Sequence, residues 1–536
     1  MPARVSRCIL SLILLMFLLT LTPVVDLEGI ATQSSTVVSE PEKQGLLVAG
    51  TLHGPIAIDG DANFAATALL EGWPGDGSPE KPFIIYGLEI DLSGVEGDCI
   101  SISNTRVSFT VHNCNLTGAG SGIFLENVTN SELVNNTCNS NDNGIYLSNS
   151  GHNTVTGNTC NNNIECGICI DAYHSILSNN TVVNNTCINN GGSGISLSSS
   201  EFSTAAYNTC NYNNDNGIRV GGAAGMGTGK SSNNTVANNT CNSNSAGIYL
   251  DSSDFNTVAN NTCNNNMFGI RLEESDSNTL VNNTYNGNRN GIDLLSSDSN
   301  TVVNNTCTSN GESGIRLNLS SYSSVCNNTC NSNDNGIYLC NSGHNTVTGN
   351  TCNNNGLSCI SLDQSDSNVV ASNICNWNDI GIGLYNSNNN TVTHNTCNDN
   401  RIGIHLYLSD NNTVTHNTCL NNAEHDIYLD DSDSNTVENN IITISKESVY
   451  LVLLLIGFGE ITLLGIGWRK VSARGVKDSI IVPTSYWIAS WFSKRRVGHD
   501  KIIVPIRYLL VSRLRTRKSL RHVEVSEPLE PDSSDQ

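Results

Sequence analysis

The sequence predicts an all-β protein: a right-handed parallel β-helix solenoid of about fourteen coils, followed by a C-terminal single transmembrane helix. A phrase close to NTVxNNTCNxNxxGIxLxxS returns every 22 or 23 residues, from the NTC at 136–138 to the NTC at 417–419. Within each repeat the apolar positions alternate, as in Ile145 and Leu147, and the intervening residues are Asn, Asp, Ser and Gly. Such a short fixed period indicates stacked units, each too small to bury its own apolar face.

The repeat unit reads as short strands joined by turns, because the apolar residues alternate and the connecting residues tolerate left-handed backbone. A helical unit is excluded by this pattern. Leucine-rich repeats have a similar length, but their leucine framework and helical return segment are missing. One 22-residue repeat therefore corresponds to one coil. Fourteen coils stacked about 4.8 Å apart predict a rod about 65 Å long.

Threonine, valine, isoleucine, leucine and cysteine are expected to form inward ladders, with asparagine columns passing hydrogen bonds from coil to coil at the bends. A Gly-Ile pair recurs once in each repeat and forms a further column. Cys359 and Asp426 replace two of its glycines. The predicted cysteine column is Cys114, Cys138, Cys160, Cys187, Cys210, Cys241, Cys263, Cys307, Cys330, Cys352, Cys375, Cys397 and Cys419, with Tyr285 in place of one cysteine.

The interpretation that we favour for the cysteine column is buried free thiols, because parallel stacked side chains poorly match the geometry of a disulfide. Disulfides along the column are the alternative. The cysteines outside the column are the better candidates for bridges, and the CGIC pair could instead bind zinc or take part in redox chemistry. These cysteines are Cys166, Cys169, Cys326, Cys340 and Cys359.

The two ends of the chain predict export and anchoring. Arg4 and Arg7 precede an apolar run at 9–21, the pattern of a signal peptide over residues 1–25. Residues 26–47 are interpreted as a linker, 48–100 as an N-terminal cap with the first coils, and 101–445 as the repeats. Residues 449–468 are interpreted as a transmembrane helix and 469–536 as a basic cytoplasmic tail. The repeats are then extracellular and the protein a single-pass protein of the cell membrane.

Charge agrees with that topology. Ten basic and 42 acidic residues lie between residue 25 and Trp468, whereas fourteen basic and seven acidic residues follow Trp468. So acidic an exterior makes nucleic acid an unfavourable partner and suits neutral glycans or cations, while the basic tail suits anionic lipid. Glu460, inside the predicted span, is expected to contact a partner chain or a lipid, or to be protonated.

The segments IAIDGDANF (56–64) and GDGSPEKPFIIYGLEIDL (75–92), followed by repeated NxxxGIxLxxS, resemble the opening and coils of NosD-type right-handed β-helix proteins. The resemblance spans residues 50–445. It implies the fold and leaves activity open, since these repeats occur in lyases, epimerases, hydrolases, adhesins and copper-site maturation factors. Copper fits poorly, because the sequence has four methionines and no His/Met cluster. His394 and His416 occupy equivalent places in adjacent coils, either as a metal pair or as substitutes for turn asparagines.

A ligand is expected along the outward column formed by the residue after Ile in each GIxLx strand. Six consecutive coils place side chains there that can stack on and hydrogen-bond a polymer. The alternative is that they only cover the strand face and pair as surface ions. The predicted ligand-binding residues are Arg219, Tyr249, Arg271, Asp293, Arg316 and Tyr338. The insertion at 221–230, which follows Arg219, is expected to close one end of this outward column.

Catalysis at this column would need paired carboxylates, and the candidates are Asp251, Glu273 and Asp293. A further acidic column in the SDSN turns is expected to cap turns, with Ca²⁺ binding as the alternative; it contains Asp254, Asp276, Asp298, Asp366, Asp410 and Asp433. No other cofactor is expected. The sequence therefore predicts a surface protein that binds glycan or an envelope component. An anchored polysaccharide lyase, epimerase or glycoside hydrolase and a purely structural stalk are the alternatives.

Overall fold

The computed structural model describes residues 50–171, 179–222 and 230–443, together with two short strands at 471–472 and 479–480. The predicted signal peptide (1–25), linker (26–47), membrane span (449–468) with Glu460, and the rest of the tail lie outside the described residues. Within the described ranges, no helix is both long and apolar enough to cross a membrane. The described residues from Thr51 onward belong to one compact unit.

Sheet 1 contains sixteen parallel strands, each paired with the equivalent strand one coil away. It carries the GIxL segments, whose Ile and Leu point into the core. Its strands are Ile56–Asp59, Ile100–Thr105, Ser121–Val128, Asn143–Ser148, Ile168–Asp171, Ile195–Ser198, Asn216–Gly221, Ala246–Asp251, Phe268–Glu273, Asn290–Leu295, Ser313–Asn318, Asn335–Cys340, Ser358–Asp363, Ile380–Tyr385, Ile402–Tyr407 and His425–Asp430.

Sheet 2 also contains sixteen parallel strands and carries the NTVx segments. Its strands are Phe83–Tyr86, Phe109–His112, Ser131–Val134, Thr154–Thr156, Thr181–Val183, Thr204–Ala206, Thr235–Ala237, Thr257–Ala259, Thr279–Val281, Thr301–Val303, Ser324–Cys326, Thr346–Thr348, Val369–Ala371, Thr391–Thr393, Thr413–Thr415 and Thr436–Glu438.

A third side of the solenoid carries the NTC segments in shorter parallel pieces. Its strands are Thr51–Leu52, Leu88–Asp91, Asn115–Thr117, Thr137–Asn139, Thr284–Asn286, Thr306–Thr308, Thr418–Cys419 and Ile441–Ile442. Single bridges between equivalent residues, mostly threonines, connect these pieces from Thr137 to Thr418. The two strands Val471–Ser472 and Ser479–Ile480 pair with each other in antiparallel fashion.

The predicted parallel solenoid is therefore confirmed, with about fifteen turns rather than fourteen. The additional turn comes from the N-terminal strands, which lack the NTC phrase. A helix, Asp61–Glu71, is a feature that the sequence interpretation missed. Its Phe64 is fully buried and its ring lies 5.1 Å from those of Phe83 and Phe109, so the helix covers apolar side chains of the first coils.

The core side chains lie where the alternation predicts, with one correction. Ile, Leu, Val and Cys point inward, whereas the threonines predicted to be inward lie half-exposed on the outer faces. The reason is the two-residue period of a strand. In the Thr-Val-x segment the valine is inward, as Val258 is, so Thr257 beside it must point outward.

Buried asparagine ladders join the coils, as predicted. Asn283 shows the pattern: its Oδ1 accepts hydrogen bonds from the backbone N–H and Nδ2 of Asn261 at 2.8 and 3.0 Å. Its own N–H and Nδ2 donate to Oδ1 of Asn305, and Nδ2 also donates to the carbonyl of Val258. The ladder consists of Asn136, Asn158, Asn185, Asn208, Asn239, Asn261, Asn283, Asn305, Asn328, Asn350, Asn373, Asn395, Asn417 and Asn440.

Two parallel ladders repeat this arrangement. One runs from Asn141 to Asn422, and the other runs from Asn153 to Asn435 with serine at two rungs. In the second of these the Nδ2 atoms of Asn368 and Asn390 have no hydrogen-bond partner within the described part of the chain. The solenoid thus buries many amides at little cost, because nearly every one is satisfied by the coil on either side.

The cysteine column is confirmed from Cys138 onward, fully buried and with free thiols at all but one position. Its predicted first member is wrong. The strand register pairs Cys138 with Leu116, whereas Cys114 takes the place of a ladder asparagine and donates its N–H to Oδ1 of Asn136. The 24-residue spacing between Cys114 and Cys138 reflects this shift of two residues.

A single disulfide, Cys359–Cys375, is present among the described residues. Cys359 replaces a column glycine, and a Cβ at the equivalent Gly336 would lie 2.7 Å from the Cβ of Cys352 in the next coil. A cysteine at the glycine position therefore lies against the column cysteine of the next coil and bonds to it. Of the predicted bridge formers only Cys359 forms a disulfide within the described residues; Cys166, Cys169, Cys326 and Cys340 do not.

Replacing one ladder asparagine should destabilise the whole solenoid. Asn283→Ala removes the acceptor of the Asn261 N–H and the Nδ2 donor of the Val258 carbonyl, at about 1–3 kcal/mol for each buried group, while Oδ1 of Asn305 keeps the backbone N–H of residue 283. We expect a loss of at least about 2 kcal/mol in the free energy of unfolding, measured by chemical denaturation. The matched control is Asn282→Gly at the adjacent exposed corner, where φ is 57° and glycine is tolerated. Equal stability of the two variants would contradict the role of the ladder.

Mass spectrometry of the alkylated chain measures which cysteines are free thiols. When the chain is denatured and alkylated without reductant, the other eleven column cysteines should be modified and Cys375 should remain linked to Cys359. Cys359→Gly restores the column residue, so it should free Cys375 for alkylation and leave the circular dichroism spectrum unchanged. Oxidation of most of the column would contradict the structure.

Candidate functional site

The strand register of sheet 1 places the six predicted ligand-binding residues side by side on consecutive coils. Arg219 pairs with Tyr249, Tyr249 with Arg271, Arg271 with Asp293, Asp293 with Arg316, and Arg316 with Tyr338. We call this row the Arg/Tyr column; its members are Arg219, Tyr249, Arg271, Asp293, Arg316 and Tyr338. Because coils are about 4.8 Å apart, the column is about 24 Å long. Its side chains are half-buried, and Asp293 is only 5% exposed.

Carboxylates of the neighbouring outward column bind two of the arginines. Arg219 Nη2 lies 2.9 Å from Oδ2 of Asp251, and Arg271 Nη2 lies 3.0 Å from Oε2 of Glu273. The Tyr249 hydroxyl donates to Oε2 of Glu273 at 2.9 Å. Burial, followed by this hydrogen bond to an anion, raises the pKa of Tyr249, so the hydroxyl stays protonated.

The middle of the column holds polar atoms that are buried and unpaired. Among the described residues neither Nε of Arg271 nor Oδ1 of Asp293 has a hydrogen-bond partner. The nearest cation to Asp293 is Arg316, whose Nη1 lies 3.6 Å from Oδ1, which is too long for a hydrogen bond. Burial therefore raises the pKa of the Asp293 carboxyl although Arg316 and Arg271 oppose the shift.

The alternative interpretation, in which Arg271, Asp293 and Arg316 pair with one another as surface ions, is thus only partly correct. Arg316 approaches Asp293, but Arg271 turns to Glu273 in its own strand. The reason is side-chain length. Residues two positions apart on one strand point to the same side of the sheet, and the side chain of Glu273 is long enough to contact the guanidinium group of Arg271.

Sequence reasoning missed two contributors to this face. Phe268 precedes the column glycine, and its ring lies 4.9 Å from the guanidinium carbon of Arg271, which fixes that side chain by a cation–π contact. Asp171, in the neighbouring outward column, is 6% exposed, and burial raises its pKa to about 6 against the opposing effect of Arg219. Neither residue lies in the column that the repeat pattern singled out.

The three catalytic candidates divide between two columns. Asp251 and Glu273 are paired neighbours in one outward column and are engaged by Arg219 and Arg271. Asp293 lies in the Arg/Tyr column itself. Burial raises the pKa of Asp293, and its Oδ1 has no hydrogen-bond partner among the described residues, whereas Asp251 and Glu273 are engaged by arginines, so Asp293 is the carboxyl of the three best suited to proton transfer.

At the end of the column, the predicted insertion lies mostly outside the described residues. Lys230, its last residue, has Nζ 2.7 Å from Oδ2 of Asp254. The acidic turn column is organised by side-chain to backbone hydrogen bonds, as predicted, but these run between coils: Oδ1 of Asp254 accepts from the N–H of Asp276, and Asp276 from the N–H of Asp298. Ca²⁺ binding by this column stays a prediction.

The two candidate metal histidines lie at turns. His394 and His416 have φ of 59° and 58°, and their rings stack 5.0 Å apart at an angle of 4°. Asparagine occupies the equivalent left-handed positions of other coils, as at Asn282. This geometry agrees with the interpretation that they substitute for turn asparagines.

The donor set does not fit copper. Within the described residues no group of three or more His, Cys, Asp or Glu side chains is arranged to hold a metal ion. The column thiols are sealed inside the solenoid, and Met267, the one methionine in the described ranges, is not accompanied by such a group.

Two family models match the chain. The model described as "Right handed beta helix region" matches residues 89–226 and 345–452, and the model described as "Periplasmic copper-binding protein (NosD)" matches residues 222–374. No curated protein matches the sequence.

Similar solved structures have low identity. The periplasmic alginate epimerase AlgG is 13% identical, with a TM-score of 0.36 over 73% of this chain and 85% of that chain. The mannuronan C-5 epimerase AlgE6 A-module of Azotobacter vinelandii is 13% identical, with a TM-score of 0.31 over 65% and 91% of the two chains. PfbA, a surface adhesin of Streptococcus pneumoniae, is 14% identical, with a TM-score of 0.32 over 58% and 82%.

The two family models together span residues 89–452, and the described residues of that stretch, up to residue 443, fold into stacked parallel coils with asparagine ladders. These matches and the stacked parallel coils together support a NosD-type right-handed parallel β-helix repeat protein.

Proposed function

We propose that the protein binds a neutral glycan laid along the Arg/Tyr column. The observation that carries this proposal is the pair of unpaired buried atoms at its centre: Nε of Arg271, a donor, and Oδ1 of Asp293, an acceptor, lie on adjacent coils. Leaving such groups without partners is costly. Neighbouring hydroxyls of a sugar both donate and accept, so a saccharide would supply both partners once the Arg271 and Asp293 side chains, which cover these atoms in the structure, rotate towards it.

Charge favours a neutral ligand over an anionic one. The three arginines of the column face Asp251, Glu273 and Asp293, so the local charges nearly cancel. The remaining exterior is strongly acidic and repels polyanions. A neutral glycan avoids that repulsion and still uses the charged hydrogen-bonding groups.

The shape of the column favours a polymer. Its side chains recur at each coil along the rod axis, and two of its six members are tyrosines whose half-buried rings offer faces for stacking. A linear glycan parallel to the axis would contact several coils at once, whereas a small ligand would use one or two.

The proposal includes placement at the cell surface. The predicted signal peptide, the span at 449–468 and the basic tail would hold the repeats outside the membrane, with the tail against anionic lipid. The column would then face envelope glycan, and Glu460 would contact a partner chain or lipid within the membrane.

A second candidate function is catalysis on the same polymer by a lyase, epimerase or hydrolase. It is favoured by one observation, the raised pKa of the buried Asp293 carboxyl. Incubation of the full-length protein with a panel of polysaccharides, measuring both retention and new reducing or unsaturated ends, separates binding from reaction. A purely structural stalk would show neither.

The double variant Tyr249→Ala/Arg271→Ala should abolish retention of the bound polysaccharide, because it removes the stacking ring and the central donor. The melting temperature should change little, since both side chains are outside the core. The readout is affinity electrophoresis beside thermal unfolding. Ser361→Ala, in the same outward row beyond Tyr338, is the matched control and should bind normally. Undiminished retention by the double variant would refute the site.

Binding should weaken on acidification. Burial raises the pKa of Asp293, so its carboxylate is lost at a higher pH than that of an exposed aspartate. Because the acceptor role needs the ionised form, retention should fall as the pH is lowered from 7 towards about 4. Asp293→Asn should bind more weakly at pH 7 and show a flatter profile. A variant profile that parallels the wild type would show that another group controls the pH dependence.

A further inference from the structure

The outer side of sheet 2 is free of charged side chains over twelve consecutive coils. We call it the threonine face. Its outward residues are Thr154, Thr156, Thr181, Val183, Thr204, Ala206, Thr235, Ala237, Thr257, Ala259, Thr279, Val281, Thr301, Val303, Ser324, Cys326, Thr346, Thr348, Val369, Ala371, Thr391, Thr393, Thr413 and Thr415. The strand register keeps equivalent residues aligned along the rod. This is unusual for a chain with 49 acidic residues.

Three large aromatic side chains stand exposed along one edge of this face. Phe202, Phe255 and Tyr322 are 57%, 62% and 63% exposed and occupy the corner immediately before the sheet 2 strand of their coils. Tyr207, at the opposite corner of the same coil as Phe202, is 38% exposed. Phe202, Phe255 and Tyr322 form an aromatic wall on one side of the uncharged floor, and Tyr207 lies on the other side.

The backbone at these corners does not call for aromatic residues. Phe202, Phe255 and Tyr322 have φ of 53°, 59° and 59°, in the left-handed region that bulky side chains avoid. Equivalent corners of other coils carry residues such as Asn233 and Ser277 at φ of 59° and 58°. The local backbone therefore does not account for Phe202 and Phe255, whereas Tyr322 also stacks on His344 of the next coil with the ring centroids 5.0 Å apart.

We propose that the threonine face, with its aromatic edge, is the interface between two copies of this chain. Twelve coils make a flat surface about 55–60 Å long, and a strand with its corners is about 10–15 Å wide. Covering it would bury roughly 600–900 Å² on each copy, which matches the size of a stable protein interface. Aromatic residues with few charges are also the composition of interface cores. This proposal is independent of glycan binding, which uses sheet 1.

The acidic turn column fixes the relative orientation of the two copies. Asp254, Asp276 and Asp298 run along the edge that carries the aromatic wall, one residue before the corner. Antiparallel rods packed face to face would place these two acidic edges opposite each other. A two-fold axis parallel to the rods instead sets each acidic edge against the partner's uncharged edge. The rods are therefore parallel, as two chains anchored in one membrane would be.

The test measures the mass of the full-length chain in neutral detergent by sedimentation equilibrium. The wild type should be a dimer. Phe255→Asn/Tyr322→Asn restores the usual corner residue, so it should raise the dissociation constant at least tenfold while the melting temperature stays unchanged or rises. Thr279→Lys, which adds a charge to the floor, should weaken the dimer as well.

Trp377→Asn is the matched control. Trp377 is also 57% exposed with φ of 58°, but it lies at a corner following the NTC side, away from the threonine face. It should leave the dimer intact. A monomeric wild type, or a dimer that dissociates with Trp377→Asn but not with Phe255→Asn/Tyr322→Asn, would overturn the proposal. A monomer whose polysaccharide retention falls on Phe255→Asn would overturn it too and would assign the face to glycan.

Discussion

The satisfaction of buried asparagine side chains by the neighbouring coils is the constraint on which the rest of the structure depends. An amide in the core is tolerated only when its donors and acceptor are paired. In the ladder each Oδ1 accepts from the coil before it, and each Nδ2 donates to the coil after it, as at Asn283. A coil displaced by one residue along its neighbour would leave all of these groups unpaired. The ladders therefore fix the register, and the register fixes every column on the surface.

Because the repeat fixes the register, the features that distinguish individual coils come from residues that depart from the repeat. Cys359 in a glycine position creates the disulfide with Cys375, and Tyr285 fills a cysteine position with a buried ring whose hydroxyl has no partner within the described residues. Arg271 and Phe268 create a cation–π contact, whereas Ser361 and Gly383, further along the same row as Arg271, are too small to make one. Each departure acts on the coils beside it, because a solenoid has only nearest-neighbour contacts.

The sequence was sufficient for the coil, the inward Ile, Leu and Cys positions and the composition of the Arg/Tyr column, since these follow from periods of two and 22 residues. The sequence is insufficient where these periods do not determine the orientation or the partner of a side chain. Composition alone predicts an inward Thr257, although the alternation with Val258 excludes that orientation. Residue type alone places Cys114 in the cysteine column, although its 24-residue spacing from Cys138 does not. The pairing of Arg271 with Glu273 and the unpaired atoms at Asp293 depend on side-chain conformation, which no pattern in a single sequence encodes.

The two proposed surfaces show why such a scaffold can carry more than one function. Sheet 1 presents paired charges and unpaired polar atoms, whereas sheet 2 presents hydroxyls, methyl groups and exposed rings without charge. Both faces are supported by the same buried ladders, yet their own side chains contribute little to the core. Substitution at an outward position of one face leaves the register, and hence the other face, unchanged. Ligand contact and association of chains are therefore separable by mutation, although both depend on the same hydrogen bonds within the solenoid.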